Sequence, residues 1–299
     1  MPLITVGVPA YNEAELLAGS LEVLTQQTFT DFEVLIFDNA STDATAEIAA
    51  GLAARDPRFK HIRQPFNKGE FLNFHDAVKA ATSPYFLWRA CDDRSAPNYL
   101  EELVRLLEQN PHKDLAVGRV RVIDLDQTVL REFDYPALEG RPPFWRRWSR
   151  ILNARAGWYY GLYRRDAILD RMNEVVRDYR NLWGFDYLVL LGFLLDDKVV
   201  GTDATVFEQT RKRTASTQRK KRTNEERDRL IFLRQRFYEV ACAMFAKRET
   251  SPLLRFVTKP LFFEYTGRKL FGFRRVALRM VTRPAGTGAQ QKDDLPSQI

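Results

Sequence analysis

The chain has 299 residues, 45% of them hydrophobic and 28% charged, a composition that fits one large globular domain or a domain with an appendage. Its formal charge of +7 is uneven: Arg and Lys crowd after Arg141 and again after Arg211, which points to an anionic partner such as a phosphate-bearing substrate, anionic lipid or nucleic acid. Two distant cysteines, Cys91 and Cys242, exclude a disulfide framework or Cys-based zinc site and fit a reducing compartment, and no run of about 18 uncharged apolar residues offers a membrane-spanning helix.

Leu3 to Val8 is β-branched and apolar and predicts a buried strand. It opens the chain without a basic leader, so no signal peptide is expected. Pro9-Ala-Tyr-Asn-Glu13 breaks it. Glu15 to Gln27 has helical periodicity, with Leu16, Leu17, Leu21 and Leu24 on one side. Phe32 to Phe37 predicts a second strand, and Asp38-Asn-Ala-Ser-Thr-Asp43 a polar turn that caps a helix to about Ala54, with Asp43 as the cap. His61 to Gln64 is a short third strand, Asn67-Lys-Gly69 a turn, and Leu72 to Ala81 a helix. Tyr85 to Arg89 is a fourth strand. This alternation is the mark of a parallel α/β sheet.

Asn98 to Gln109 predicts a helix and Asp114 to Leu125 a strand. Tyr135 to Arg150, with Pro136, Pro142, Pro143, Trp145 and Trp148, reads as an aromatic, Arg-rich loop. Trp158 to Tyr163 reads as a strand and Asp166 to Val176 as a helix. Trp183-Gly-Phe-Asp-Tyr187 opens an apolar helix to Leu195, with Asp196 and Asp197 solvated at its end. Lys198 to Gly201 and Ala204 to Glu208 are two short strands. Glu225 to Lys247 carries the apolar stripe of one long helix.

Four loops follow strands at their carboxyl ends, where ligands bind in α/β sheets. They are Pro9–Glu13, Asp38–Asp43, Asn67–Gly69 and Asp92-Asp93. A nucleotide suits them. A base can rest against Tyr11, Asp38 can accept from a base N–H, and Asp92 can accept from ribose hydroxyls. Asp93 can hold Mg2+ or Mn2+ that neutralises a diphosphate. The plain alternative for Asp92-Asp93 is a cap on the helix after Pro97. His61, His75 and His112 show no ligand spacing.

Val6-Gly-Val-Pro-Ala-Tyr-Asn-Glu13, Gln27 to Val34, Asp38 to Asp43, Asn67-Lys-Gly69 with Asn73, and Asp92-Asp93 together resemble the family 2 glycosyltransferases over residues 3 to about 100. The resemblance implies α/β architecture with a GT-A-like, Rossmann-type mixed, mainly parallel sheet flanked by helices. It implies an inverting transfer from a nucleotide-diphosphate sugar to a hydroxyl of a glycan or lipid-linked acceptor, of hexosyl- or deoxyhexosyltransferase type, in cell-surface polysaccharide synthesis. Pro9, Tyr11, Glu13, Asp38, Asn67, Gly69, Asn73 and Asp92 would face the donor, and Asp93 the metal. The chain departs from the family pattern at Ala90-Cys-Asp-Asp93, which lacks the first acid.

Beyond residue 100 the likeness is thinner. Gly161 to Ile168 resembles the strand-to-helix passage of the acceptor half. Trp183-Gly-Phe-Asp186 resembles the loop with the catalytic base, so Asp186 is the expected base, at a helix start whose dipole favours the ionised form. Its plain alternative is a helix cap. Arg213 stands where the family often places a metal-binding His; Arg cannot ligate a cation but can neutralise the leaving diphosphate. These two departures motivate the alternative of an inactive nucleotide-sugar-binding or assembly partner.

The expected organisation is a catalytic domain over 1–217, divided near residue 100 into donor and acceptor halves, a basic amphipathic helical extension over 218–284 and a disordered tail over 285–299. The extension reads as lying on an anionic membrane, packing on the catalytic domain, or joining a homodimer. Nucleic acid is not an expected partner, since no nucleic-acid motif accompanies the basic residues. The expected location is cytoplasmic, with peripheral attachment to the inner face of the cell membrane.

Overall fold

A computed structural model describes residues 1–136, 143–179, 181, 183–211 and 224–270. Strands β1 (Ile4–Ala10), β2 (Phe32–Asp38), β3 (Phe59–Arg63) and β4 (Tyr85–Trp88) are parallel, in the order β3-β2-β1-β4. Helices α1 (Leu17–Thr25), α2 (Thr45–Arg55) and α3 (Glu70–Ala80) connect them. β2 is buried along its whole length, because helices cover both faces of a parallel sheet. Its alternate residues serve two cores: Leu35 and Phe37 enter one, Val34 and Ile36 the other. β3, at the edge, is buried only at Phe59.

Past β4 the sheet becomes mixed. It continues through β8 (Leu162–Arg164), β6 (Leu115–Ile123) and β9 (Val199–Thr210) to β5 (Arg94–Ser95), with β7 (Val129–Phe133) paired to β6. β8 runs antiparallel to β4 and β6, and β9 runs parallel to β6. Helices α4 (Tyr99–Gln109), α6 (Arg165–Asp178) and α7 (Phe185–Leu195) pack on this half. The mixed, mainly parallel sheet flanked by helices is the expected architecture.

Several local expectations change. Within Tyr135–Arg150, expected as a loop, lies α5 (Phe144–Asn153). Pro143 stands just before its first turn, where a proline costs nothing, and Trp148 and Ile151 are buried one turn apart. Trp158 to Tyr163 is not one strand. A 3-10 turn (Ala156–Tyr160) precedes β8, and a Cβ on Gly161 would lie 2.4 Å from the Ala116 carbonyl oxygen, so only glycine permits that approach. The two short strands near residue 200 are one strand, β9, with a register shift opposite Gly118 and Arg119. Asp196 and Asp197 are not merely solvated: Asp196 takes Arg171 and Arg248, and Asp197 takes Lys113.

Among the described residues, three C-terminal helices follow: α8 (Asn224–Ala246), α9 (Pro252–Val257) and α10 (Lys259–Lys269). Phe237, Val240, Ala241 and Met244 of α8, with Phe262 and Tyr265 of α10 and the following Leu270, enter the same core as α7. Lys247 pairs with Glu174 and Asp178 on α6. Of the readings open for the extension, packing on the catalytic domain describes α8 and α10. Helix α9 buries none of its residues. Residues 271–284 of the expected extension and the expected tail over 285–299 lie outside the described residues.

Candidate active site

The four predicted loops are tied to one another at the carboxyl edge of β1 to β4. Asn12, at φ 53°, receives the Thr42 N–H on its side-chain oxygen at 2.9 Å, and its own N–H donates to Ser41 Oγ. Glu13 N–H donates to Thr45 Oγ1 and Ala14 N–H to Asp43. Asn39 joins the second loop to the third, donating to Asn67 Oδ1 at 2.8 Å and accepting from Lys68 N–H. Ser20 Oγ bonds the carbonyls of Ala90 and Asp93, and Cys91 Sγ lies 3.6 Å from the Pro9 carbonyl. Small polar side chains satisfy backbone groups here, which is why Asn, Asp, Ser and Thr dominate these loops. Asp43 takes Thr45 N–H, as a residue just before a helix does, although the first capping position belongs to Ala44.

The predicted donor residues differ in what they offer. Tyr11 is exposed, Pro9 and Glu13 are half-buried, and Asp92 is half-buried. Asp38 is fully buried, and both of its oxygens are engaged: one accepts from Ser41 N–H, the other from Arg63 Nη1, each at 2.8 Å. Arg63, about half exposed, also bonds the Ser41 carbonyl. Asp38 is thus buried behind Arg63 and the Ser41 loop, which engage both of its oxygens, instead of being open to accept from a base N–H. Gly69, at φ +85°, turns the chain into α3, a conformation that favours glycine. Asn73 is buried; its amide nitrogen bonds the Phe37 carbonyl, while its Oδ1 has no hydrogen-bond partner among the described residues.

Asp93 is buried and accepts the Thr210 N–H at 2.8 Å, which fixes it to the end of β9. Behind it lies Arg89, fully buried, with Nη2 bonded to Ser95 Oγ at 2.7 Å. Its Nε and Nη1 find no hydrogen-bond partner among the described residues. Burial works against the guanidinium charge, and the fields of Tyr99 and Asp93 favour it. Arg89 passes for the last residue of a strand in the sequence; a charge on the buried run Tyr85-Phe-Leu-Trp-Arg89 was the available signal. Arg213 lies outside the described residues.

No group of three or more His, Cys, Asp or Glu side chains is placed to hold a metal ion among the described residues. One or two carboxylates, Asp93 with Asp92, fit a hard cation held mainly by a bound diphosphate rather than a protein cage.

Asp186 lies in a cavity of about 310 Å³ with Glu70, Phe74, Tyr159, Tyr160, Trp183 and Phe185. Tyr159 stacks on Trp88 of β4 at 4.5 Å, so the cavity wall continues the strand that leads to Asp92-Asp93. Tyr160 shares the cavity with Asp186 and Glu70; burial raises its phenol well above the usual value, and the fields of Asp93, Asp186, Glu70 and Asp92 add to this. Asp186 is the second residue of α7, after Gly184 at φ +81°. Burial pushes its carboxyl up to about 6, against the backbone N–H groups of Tyr187 and Asp186 and the charge of Lys269. The helix start, expected from the sequence to favour the ionised form, does so through these backbone N–H groups, and burial outweighs them. Glu70 and Tyr160 stand in no sequence motif and meet only through the fold.

The model of the family described as Glycosyl transferase family 2 matches residues 5–167. A Haemophilus influenzae protein described as an uncharacterized glycosyltransferase is 29% identical over 111 residues, 37% of this chain and 34% of that protein. The putative glycosyltransferase EpsE of Bacillus subtilis is 32% identical over 124 residues, 41% of this chain and 45% of EpsE. The chain thus spans between a third and a half of the length of these relatives. Among solved structures, S. aureus TarS 1–349 in complex with UDP-GlcNAc superposes with a TM-score of 0.59 at 16% identity, covering 89% of this chain and 72% of that one. The mannosyltransferase PcManGT from Pyrobaculum calidifontis, in complex with GDP-Man and Mn2+, gives 0.53 at 18% identity, over 94% and 74%. These likenesses establish a shared GT-A fold.

Proposed function

The chain belongs to glycosyl transferase family 2, and on that premise we propose that it is an inverting glycosyltransferase that moves a hexosyl or deoxyhexosyl group from a nucleotide-diphosphate donor to a hydroxyl of a glycan or lipid-linked acceptor. The observation that carries the reading is Asp186: a carboxyl lifted to about 6 in an aromatic cavity beside the acidic loop that would face the donor. A carboxyl so raised is still mainly ionised at neutral pH and is a better base than an exposed carboxylate.

In this reading the acceptor hydroxyl enters the cavity against Trp183 and Tyr160. Asp186 takes its proton as the oxygen attacks the anomeric carbon from the side opposite the diphosphate. The bond from that carbon to the donor oxygen breaks, and the nucleoside diphosphate leaves. On the donor side the base rests on Tyr11, with Pro9, Glu13 and the Asp38–Arg63 pair shaping its pocket. Asn67, Gly69 and Asn73 form the neighbouring wall, and Asp92 accepts from the ribose. Asp93 would hold Mg2+ or Mn2+, which when bound neutralises charge on the leaving diphosphate. Arg213 would add basic charge there.

The relatives named as glycosyltransferases, and the UDP-GlcNAc and GDP-Man of the solved neighbours, support a nucleotide-sugar donor. We assign the enzyme to cell-surface polysaccharide synthesis at the cytoplasmic face of the membrane. Helix α9 supports a peripheral attachment: Leu253 and Phe256 are each 69% exposed, with Leu254, Val257, Arg255 and Lys259 beside them. Apolar tips ringed by basic residues suit an anionic lipid surface. Among the described residues no helix is long and apolar enough to cross a membrane. Release of nucleoside diphosphate from UDP- and GDP-sugars, with and without Mn2+, tests the reading. Nucleotide binding without turnover of any donor would favour an inactive binder.

A further inference from the structure

The helical layer has two ends, and Asp186 lies at one of them. At the start of α7, Tyr265 of α10 donates its hydroxyl proton to the Tyr187 carbonyl at 2.7 Å. At the end of α7, Arg147 in the first turn of α5 donates to the Leu195 carbonyl at 3.3 Å, and Arg248, just past α8, donates to Asp196 at 2.8 Å. Helix α5 runs alongside α10 in the same direction: the rings of Trp148 and Phe262 lie 5.0 Å apart, and Lys269 donates to the carbonyl of Ala154, just past α5, at 2.6 Å. Thr258 joins α9 directly to the start of α10. The start of α5, the end of α8 and α9 therefore gather at the end of α7 away from Asp186. The 11 residues of α7 set its two ends about 16 Å apart.

That far end carries apolar side chains that neither core uses. Helix α5 buries Trp148 and Ile151, yet Trp145, one turn earlier, is 64% exposed, with the Arg146 guanidinium 5.2 Å from its ring centre. On α9, Leu253 and Phe256 are exposed, and Lys259 Nζ lies 5.8 Å from the Phe256 ring centre. Both exposed rings thus have a cation beside them. The acids at this end are engaged: Asp196 by Arg171 and Arg248, Asp197 by Lys113 and Arg150, and Glu249 by the Ser251 N–H. Arg146, Arg255 and Lys259 are exposed, so the surface presents positive charge around its apolar tips. Tryptophan at the water boundary of a bilayer, with basic side chains reaching anionic phosphates, is the matching chemistry.

We propose that the start of α5 and α9 together form one surface that seats on an anionic bilayer, with Trp145 inserted beside Leu253 and Phe256 and the Asp186 cavity held a helix length above the lipid. The proposal rests on the peripheral attachment assigned above and extends it from α9 to an element of the catalytic domain itself. Two elements fix an orientation that one short helix cannot. The orientation also narrows the acceptor, given the transferase reading. A hydroxyl must reach the cavity about 16 Å from the bilayer. A glycan built on a lipid head group presents one at that height, and the head group itself does not.

The test uses the full chain with phosphatidylglycerol vesicles, plain for sedimentation and brominated in the acyl chains for quenching of tryptophan fluorescence. Trp145→Ser with Arg146→Gln should weaken sedimentation several-fold at an unchanged melting temperature, because both side chains are exposed. Trp145→Phe should remove most of the quenching that bromolipid causes in the wild type, whereas Trp183→Phe, in the cavity, should leave it in place. Sedimentation that survives the Trp145/Arg146 pair but is lost in Leu253→Ser with Phe256→Ser would leave attachment to α9 alone and overturn the proposal. Quenching that disappears in Trp183→Phe would put the cavity at the lipid and overturn it too. A wild type that binds no vesicles would sink the attachment reading and this one with it. A dimer in sedimentation velocity that Trp145→Ser dissociates, without any vesicle binding, would give the surface to a second copy instead. No readout requires turnover, so an inactive protein would sink the transferase reading without deciding this one.

Discussion

Asp186 is held at the helix start by a favourable dipole and pushed toward its neutral form by burial, and burial prevails. Two outcomes follow. Turnover should rise with pH through about 6 as the base ionises; a pH–rate profile flat from 5 to 8 would refute the assignment. Asp186→Asn should abolish transfer while leaving nucleotide affinity unchanged, as isothermal titration would report. It should also stabilise the protein. The unfolded carboxyl titrates near 3.9, below the folded value, so the native state binds more protons between the two. Asp186 therefore lowers stability as pH rises from about 4 to about 6, and that cost persists above 6. Removing the charge should return about 1–3 kcal/mol at pH 7, visible as a higher melting temperature that disappears below pH 4. Asp186 was legible in the sequence as an acid among aromatic residues, and Asp93 as an acid after a buried strand. Glu70 and Tyr160 were not, because they are distant in sequence and converge only in the folded chain.

At the scale of elements, the first four strands and their loops follow from patterns that carry local meaning: β-branched runs, polar turns and helical stripes. The errors fall where tertiary contact overrides such patterns. Proline and tryptophan around residue 145 suggest a loop, yet Trp148 packs on Phe262 of α10 at 5.0 Å, a partner over a hundred residues away. The exposed strand β7 has no buried face to impose a period, and its pairing with β6 is set by the sheet edge. Packing of α10 on the start of α7 is likewise tertiary, and it gives a prediction. Gly184→Ala combines a left-handed backbone with contact against Leu270 and Phe237. It should cost about 1–3 kcal/mol in urea unfolding and reduce turnover more than donor affinity. An effect on stability with turnover intact would separate α10 from the base.

For the whole molecule, one edge of the sheet gathers the four loops, and the adjoining cavity, lined from α3, the 3-10 turn and the start of α7, holds Asp186. Truncating the extension would strip Phe237, Phe262 and Tyr265 from the core, so membrane attachment is better tested on α9. Leu253→Ser with Phe256→Ser should leave the melting temperature within a degree or so, because neither is buried. It should also reduce sedimentation with anionic phosphatidylglycerol vesicles; equal binding by wild type and variant would exclude α9 as the contact. In the proposed function the chain splits a nucleotide sugar and uses Asp186 to do so. The most direct measurement is nucleoside diphosphate release from a panel of UDP- and GDP-sugars, with Mn2+, for the wild type and Asp186→Asn. Turnover of at least one donor by the wild type, lost in Asp186→Asn with nucleotide binding retained, is the predicted result. Turnover that survives Asp186→Asn, or nucleotide binding with no turnover of any donor, would contradict it.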